Sequence, residues 1–338
     1  MRVLIVLLFL ELSLLAGEVE LGSPEQLAGL PVDIFLHRCV SVGRHIYVIG
    51  GAGSAGRVWR ASANEEGKLS AWTSATPLPA QQAGFSYHAA VAGSGHVYVL
   101  GGNYPDMDGK TVLTPNVFHA RVNPDGSLGA WNFTSPLPEP RKGGEAVAHG
   151  KRLYYIGGQY HRQVFSAEMQ EDGGLSEWRE ELRMISNRYG GGVVAQDGYL
   201  YVIGGNILHG TVSEIVFRNQ IGKDGALGKW RRTEPLPAKL GGFATATLDR
   251  NVFVLGGYGN NFEKSGGEIR FTRLDDQGHF SAWKNIGKLP APDAMGFQAV
   301  VVGCGIYVIG GIVMGPPNKV LNTVYRIPIV TKGDSSYD

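Results

Sequence analysis

The side chains best suited to grip a ligand are scattered along this 338-residue chain in small groups, none of them a self-contained catalytic motif. Tyr104 and Asp106 stand in one group and Arg141 and Lys142 in the next. They are followed by His161 and Arg162, Arg188 and Tyr189, Asn206 and His209, and then by Lys239, Asn260 and Asp293. Five of these residues are cations, and the remainder are phenols, imidazoles, amides and two carboxylates. Gathered on one surface, such a mixture suits a polar or acidic ligand, whose carboxylate a guanidinium can hold through two parallel hydrogen bonds. Arg141, Arg162 and Arg188 are expected to form one exposed cationic face, so that alanine at Arg141 or Arg188 would weaken ligand binding and leave stability unchanged. Singly, each residue reads equally well as a solvated loop side chain, so convergence is what matters.

Local signatures of a particular chemistry do not occur. The chain has no calcium loop, phosphate-binding loop or strained nucleophile turn, and no residue set asks for a metal or an organic cofactor. His37 and His88 occupy one repeat position and could bind a metal or pass protons. Later repeats place Gly144, Gly191, Phe243 and Phe297 there, which favours a space-filling role. Two cysteines, Cys39 and Cys304, are too few for a disulfide framework and have no histidines spaced for zinc. Asp125-Gly126 to Trp131 is similar to the aspartate box of sialidases but one residue too long, and a hairpin turn accounts for it. Asn132-Phe133-Thr134 is the one glycosylation sequon.

What must position these groups is a repeat. Glycine pairs stand at Gly50/Gly51, Gly101/Gly102, Gly157/Gly158, Gly204/Gly205, Gly256/Gly257 and Gly310/Gly311, spaced 51, 56, 47, 52 and 54 residues apart. A period near fifty implies a solenoid, an array or a propeller. Each pair ends a β-branched and aromatic run, such as Ile46-Tyr47-Val48-Ile49 or Leu200-Tyr201-Val202-Ile203, that reads as a strand buried on both faces. A second strand precedes it, and a third carries one aromatic per repeat, Trp59, Phe118, Phe165, Phe217, Phe271 or Tyr325. A glycine turn then leads to a fourth segment ending in Trp72, Trp131, Trp178, Trp230 or Trp283, one per repeat, where a tryptophan reads as a wedge between repeats. Asp-Gly between strand-like runs marks a hairpin, and four antiparallel strands make a propeller blade.

The pattern resembles the kelch family over nearly the whole chain, most closely the secreted or periplasmic six-bladed kelch proteins. That resemblance implies an all-β, six-bladed β-propeller of four antiparallel strands per blade, with ligands met by the loops after the glycine pairs and before the innermost strands. Six pairs accompany only five such tryptophans, and Pro31 stands as far before its glycine pair as Pro138 before its own. The expectation is that an N-terminal strand, about residues 19–26, completes the last blade and closes the ring.

Domain organisation follows. Met1 and Arg2 precede the apolar stretch Val3 to Leu15 and then Ala16 and Gly17, the layout of a secretory signal peptide. Residues 1–17 are read as that leader, 18–330 as the propeller and 331–338 as a polar tail. The apolar stretch falls short of the roughly 20 residues that span a bilayer, so no membrane span is expected after its removal. A net charge of +1 without a clustered basic excess speaks against a nucleic-acid partner. The expected protein is therefore a secreted or periplasmic monomer that binds an anionic protein or glycan ligand through its loop face. The alternative is an enzyme acting on an acidic sugar, similar to the sialic acid epimerases (mutarotases) of the kelch type. That would need an acid/base pair converging in one pocket.

Overall fold

The runs before the glycine pairs form the most buried strands of the molecule. His96–Leu100, Asn251–Leu255 and Gly305–Ile309 are buried at every residue, and His45–Ile49, Arg152–Ile156 and Tyr199–Ile203 at all but the first. The computed structural model describes residues 19–331 apart from 53, 55, 80–84 and 107; the leader and the tail beyond Thr331 lie outside the described residues. Each buried strand pairs antiparallel with two neighbours. On one side runs Arg38–Val42, Ala89–Gly93, Glu145–His149, Gly192–Gln196, Ala244–Leu248 or Gln298–Val302. On the other runs Val58–Ser62, Val117–Arg121, Val164–Glu168, Val216–Gln220, Glu268–Arg273 or Val324–Thr331.

A short fourth strand, for example Asn132–Thr134 or Arg231–Thr233, completes five of these sheets as four-stranded antiparallel units. In the remaining sheet the N-terminal strands Val19–Leu21 and Glu25–Leu27 both pair antiparallel with Val324–Thr331. Numbered by the order of their glycine pairs, the first strands of successive sheets lie side by side, and that of the sixth lies beside that of the first. Apolar clusters straddle these boundaries. Tyr47, Ile49 and Val58 of the first sheet pack with Val97, Val99 and Ala120 of the second, and Tyr307 and Ile309 of the sixth pack with Ile46 and Val48 of the first. The result is an all-β, propeller-like stack, with helical residues among those described confined to a single turn at Asn260–Phe262.

Three recurrent contacts join one sheet to the next. The second glycine of a pair donates its backbone N–H to the loop entering the next sheet, as from Gly51, Gly102, Gly158, Gly205 and Gly311 to the carbonyls of Phe85, Arg141, Arg188, Leu240 and Ile34, at 2.6–3.0 Å. A side chain there has no room. A Cβ on Gly50, whose φ is +59°, would lie 2.6 Å from the His88 ring and 2.9 Å from the Phe85 carbonyl. Second, the indole N–H groups of Trp131, Trp178 and Trp230 donate to the carbonyls of Thr76, Ser135 and Leu182, which follow the preceding sheet. The tryptophans are thus wedges between sheets, although Trp131 is only half-buried. Third, the hydroxyls of Tyr47, Tyr154, Tyr201 and Tyr307 donate to the carbonyls of Gly126, Gly225, Gly278 and Gly67 in hairpin turns, at 2.6–2.8 Å. Tyr98 departs from this pattern: His96 and His119 crowd its ring and the Gly173 turn.

Cys39 and Cys304 are free thiols. The column of His37, His88, Phe243 and Phe297 does fill space, each ring lying against the first glycine of the preceding pair, at Gly310, Gly50, Gly204 and Gly256.

Two outcomes test these joints. Deleting residues 19–29 removes both strands paired to Val324–Thr331 and bares a sheet edge, so the melting temperature of the whole domain is expected to fall; an unchanged melt would refute any contribution from this pairing. Trp131→Ala is expected to cost about 3 kcal/mol, the lower end of the range for large aromatics because the ring is half-buried; denaturant titration measures it.

Candidate functional site

The loops entering the six sheets converge on one pocket of about 410 Å³, within the size range of small-molecule sites. Its rim is built by a backbone device. One residue before the column described above, each loop adopts a left-handed conformation, at Leu36, Tyr87, Gly143, Gly190, Gly242 and Gly296, with φ between 54° and 70°. Neighbouring left-handed residues bond to one another: Leu36 N–H to the Gly296 carbonyl, Gly143 N–H to that of Tyr87, and Gly242 N–H to that of Gly190. Four loops use glycine at this position, where it costs least. Leucine and tyrosine there carry a penalty of roughly 1–2 kcal/mol each, and both side chains line the pocket.

Charge enters through the first strands. Arg38, opening that of the first sheet, places Nη2 2.7 Å from Oε1 of Glu145, which opens that of the third, while its Nε donates to the His88 carbonyl at 2.7 Å. Burial pushes the Glu145 carboxyl above its ordinary range, and the attraction of Arg38 offsets only part of that rise. Burial also holds His37 down to about 3 and His88 well below its usual value, with Arg38 adding to both. Both rings pack against glycines of the preceding pairs, at Gly310 and Gly50, and both are neutral packing groups.

Aromatic side chains line much of the wall. Tyr258 is held by buried Asn206, whose Nδ2 lies 3.0 Å from the phenol oxygen, and the Phe262 ring packs on Tyr258 and His209. Burial raises Tyr189 to about 12 and pushes Tyr87 and Tyr258 upward, so all three phenols remain protonated donors at neutral pH. The Lys142 ammonium lies 5.7 Å from the centre of the Tyr87 ring and has no carboxylate partner among the described residues.

Of the residues expected from the sequence, Lys142, Tyr189, Asn206 and His209 line this pocket. The others do not join them. His161 and Arg162 border a separate open groove of about 390 Å³ with Tyr160, Gln163 and Arg183. Tyr104 packs on the core between the first and second sheets, and Asp106 caps its own turn by accepting from the N–H groups of Asp108 and Lys110. Asn260 accepts from the Val212 N–H, Lys239 is exposed, and Asp293 pairs with Lys264 at 2.7 Å.

Arg141 and Arg188 correct the expectation of an exposed cationic face, because both are buried. Arg141 pairs with Glu139 at 2.5 Å, donates to the Gly157 carbonyl and lies over the Phe165 ring. Arg188 donates to Ser186, Ser213 and the Asn187 carbonyl and lies over Phe217; burial lowers it to about 10. The reason is positional. Three residues before the space-filling column stand Ile34, Phe85, Arg141, Arg188 and Leu240, an interior position whose other occupants are apolar and fully buried.

Arg38 and Glu145 were not among the expected residues. They follow the same column by one place, where other repeats carry Ala89, Gly192, Ala244 and Gln298. A charge in a column whose other members are uncharged is the signal that would have found them.

No family model and no curated protein matches the sequence. Among solved structures, one titled "Structure of YjhT" superposes with a TM-score of 0.69 at 17% identity, covering 91% of this chain and 98% of that one. At that identity the likeness concerns the propeller-like fold alone.

Because their guanidinium groups are interior, Arg141→Ala and Arg188→Ala are each expected to lower stability by about 2–3 kcal/mol, the loss of charge-assisted hydrogen bonds. Chemical denaturation measures this, and melting at the parent's midpoint by both variants would contradict their interior role.

Proposed function

We propose that this chain is an exported, monomeric, six-bladed propeller of the kelch type, its last blade completed by the N-terminal strands, and that it binds an acidic sugar of a glycan in the pocket where the entering loops meet. The observation that carries this reading is the pocket's combination of Lys142, which has no carboxylate partner among the described residues, with three protonated tyrosines. A sugar presents an apolar C–H face to an aromatic ring and hydroxyls to its edge, which the rings of Tyr87, Tyr189 and Tyr258 suit. Gln159, beside Lys142 on the wall, offers a further donor and acceptor. The ammonium supplies the counter-charge for a carboxylate. The side-by-side first strands, the pairing of the N-terminal strands with Val324–Thr331 and the likeness in fold to YjhT support the architectural part. The kelch resemblance rests on the glycine pairs and spaced aromatics.

One observation favours a second reading, in which the bound sugar is also turned over. Glu145 is a carboxyl held above its ordinary range beside a guanidinium in the same pocket, which fits a general base. On this reading the proton leaves a carbon or hydroxyl of the sugar for Glu145 and returns from it, with Arg38 steadying the charged carboxylate.

Calorimetric titration with glucuronic acid, N-acetylneuraminic acid and glucose separates these possibilities. Binding of at least one acid in preference to glucose is expected, with affinity falling as salt rises. Lys142→Ala should weaken that acid about tenfold, the loss of one charge-assisted contact, without shifting the melt. Equal binding of glucose and the acids, or none, would overturn the acidic-sugar reading. If turnover occurs, its rate should rise with pH as Glu145 loses its proton, and Glu145→Gln should abolish it while binding persists.

A further inference from the structure

The pocket is two-sided, and its two sides differ in chemistry. The second to fourth sheets contribute Tyr87, Lys142, Gln159, Tyr189 and His209, all able to hydrogen-bond. The sixth and first sheets contribute Met295, Ile312, Met314 and Leu36, which have no strong donor or acceptor, while the fifth adds Phe262 beside Tyr258, whose phenol is held by Asn206. Of the polar residues that the sixth and first sheets bring to the pocket, Gln298 turns its amide back to the Phe297 carbonyl, Arg38 reaches across to Glu145 and the His88 carbonyl, and His37 is a buried ring packed against Gly310.

Two features of the apolar side run against stability and solubility. Leu36 stands in the left-handed conformation, φ 55°, where four of the six entering loops use glycine, so its side chain is kept at a cost to stability. Met314 is half-exposed at the rim although its thioether is apolar. Methionine is the side chain that adapts best to an irregular apolar surface. An apolar wall held in place by a strained leucine and facing a hydroxyl-binding wall matches a ligand that is itself two-sided.

We propose that the ligand is an acidic sugar carrying an apolar substituent, such as the aglycone of a glycoside, with the sugar ring on the Tyr87–Lys142–Tyr189 side and the substituent on Leu36, Met295 and Met314. This rests on the reading of the pocket as an acidic-sugar site. It adds that the sugar does not arrive bare.

The experiment compares glucuronic acid with n-hexyl glucuronide by calorimetry on the protein and three variants. The hexyl glycoside should bind about tenfold more tightly or better, given the favourable transfer of its methylenes out of water. Met314→Ser and Leu36→Gly should each reduce the affinity for the hexyl glycoside by about threefold to tenfold, through loss of apolar contact, and leave glucuronic acid binding as it was. Leu36→Gly should melt no lower than the parent, because the left-handed position then carries glycine. Equal affinities for the two probes, or variants that weaken both alike, would overturn the inference. If Lys142→Ala still selectively weakens glucuronic acid in that case, the acidic-sugar reading stands alone; if neither probe binds, that reading falls and this one with it.

Discussion

The hydrogen bond from the second glycine of a pair to the loop entering the next sheet, made by five of the six pairs, is the contact on which the molecule depends. It brings two backbones together at a point where the glycine pair has no room for a Cβ: one on Gly101 would lie 2.8 Å from the Arg141 carbonyl, which accepts from Gly102. The same bond recurs at Gly51, Gly158, Gly205 and Gly311, the last joining the sixth sheet to the loop of the first. At these five joints each sheet is pinned to its neighbour, and the apolar strands that precede the glycines pack across the gap. The entering loops, drawn inward by the same bonds, meet in a single place. The pocket is a consequence of the joint.

That joint also explains where the arginines went. The carbonyls of Arg141 and Arg188 are themselves acceptors of glycine N–H groups, from Gly102 and Gly158. A residue whose backbone is fixed in this way directs its side chain into the seam, where Ile34, Phe85 and Leu240 are apolar in the other loops. The guanidinium groups compensate by stacking on Phe165 and Phe217 and by bonding to nearby carbonyls and hydroxyls, so that each works as an interior pin. The next residue, Lys142, turns into the pocket. Two adjacent cations thus have opposite fates, decided by one step along the chain.

The site differs from the scaffold in its tolerance of strain. Gly143, Gly190, Gly242 and Gly296 meet the left-handed turn at little cost, whereas Leu36 and Tyr87 do not, and both present their side chains to the pocket. Strain of this kind persists where the surroundings hold it in place, and it gathers at ligand sites. Buried His37 and His88, which look more chemical in the sequence, are neutral fillers against glycines.

Much of the architecture is local and was legible for that reason. Glycine pairs, β-branched runs and one tryptophan per repeat are decided by backbone conformation and burial within a few residues. The strand order of each sheet follows from them, and the pairing of an N-terminal segment with the last sheet was readable from the displaced Pro31. Lys142, Tyr189, Asn206 and His209 were legible as departures from the repeat. The convergence of Arg38 with Glu145 was not, since 107 positions separate them and only the packing of three sheets brings them to 2.7 Å. Nor was the burial of Arg141 and Arg188, because whether a loop side chain faces solvent or seam depends on which backbone atom its neighbour has already claimed. The sequence by itself determined the repeats and what each contains; the tertiary structure decided which side chains meet, because loops some fifty residues apart share a pocket only after every intervening sheet has been set in place.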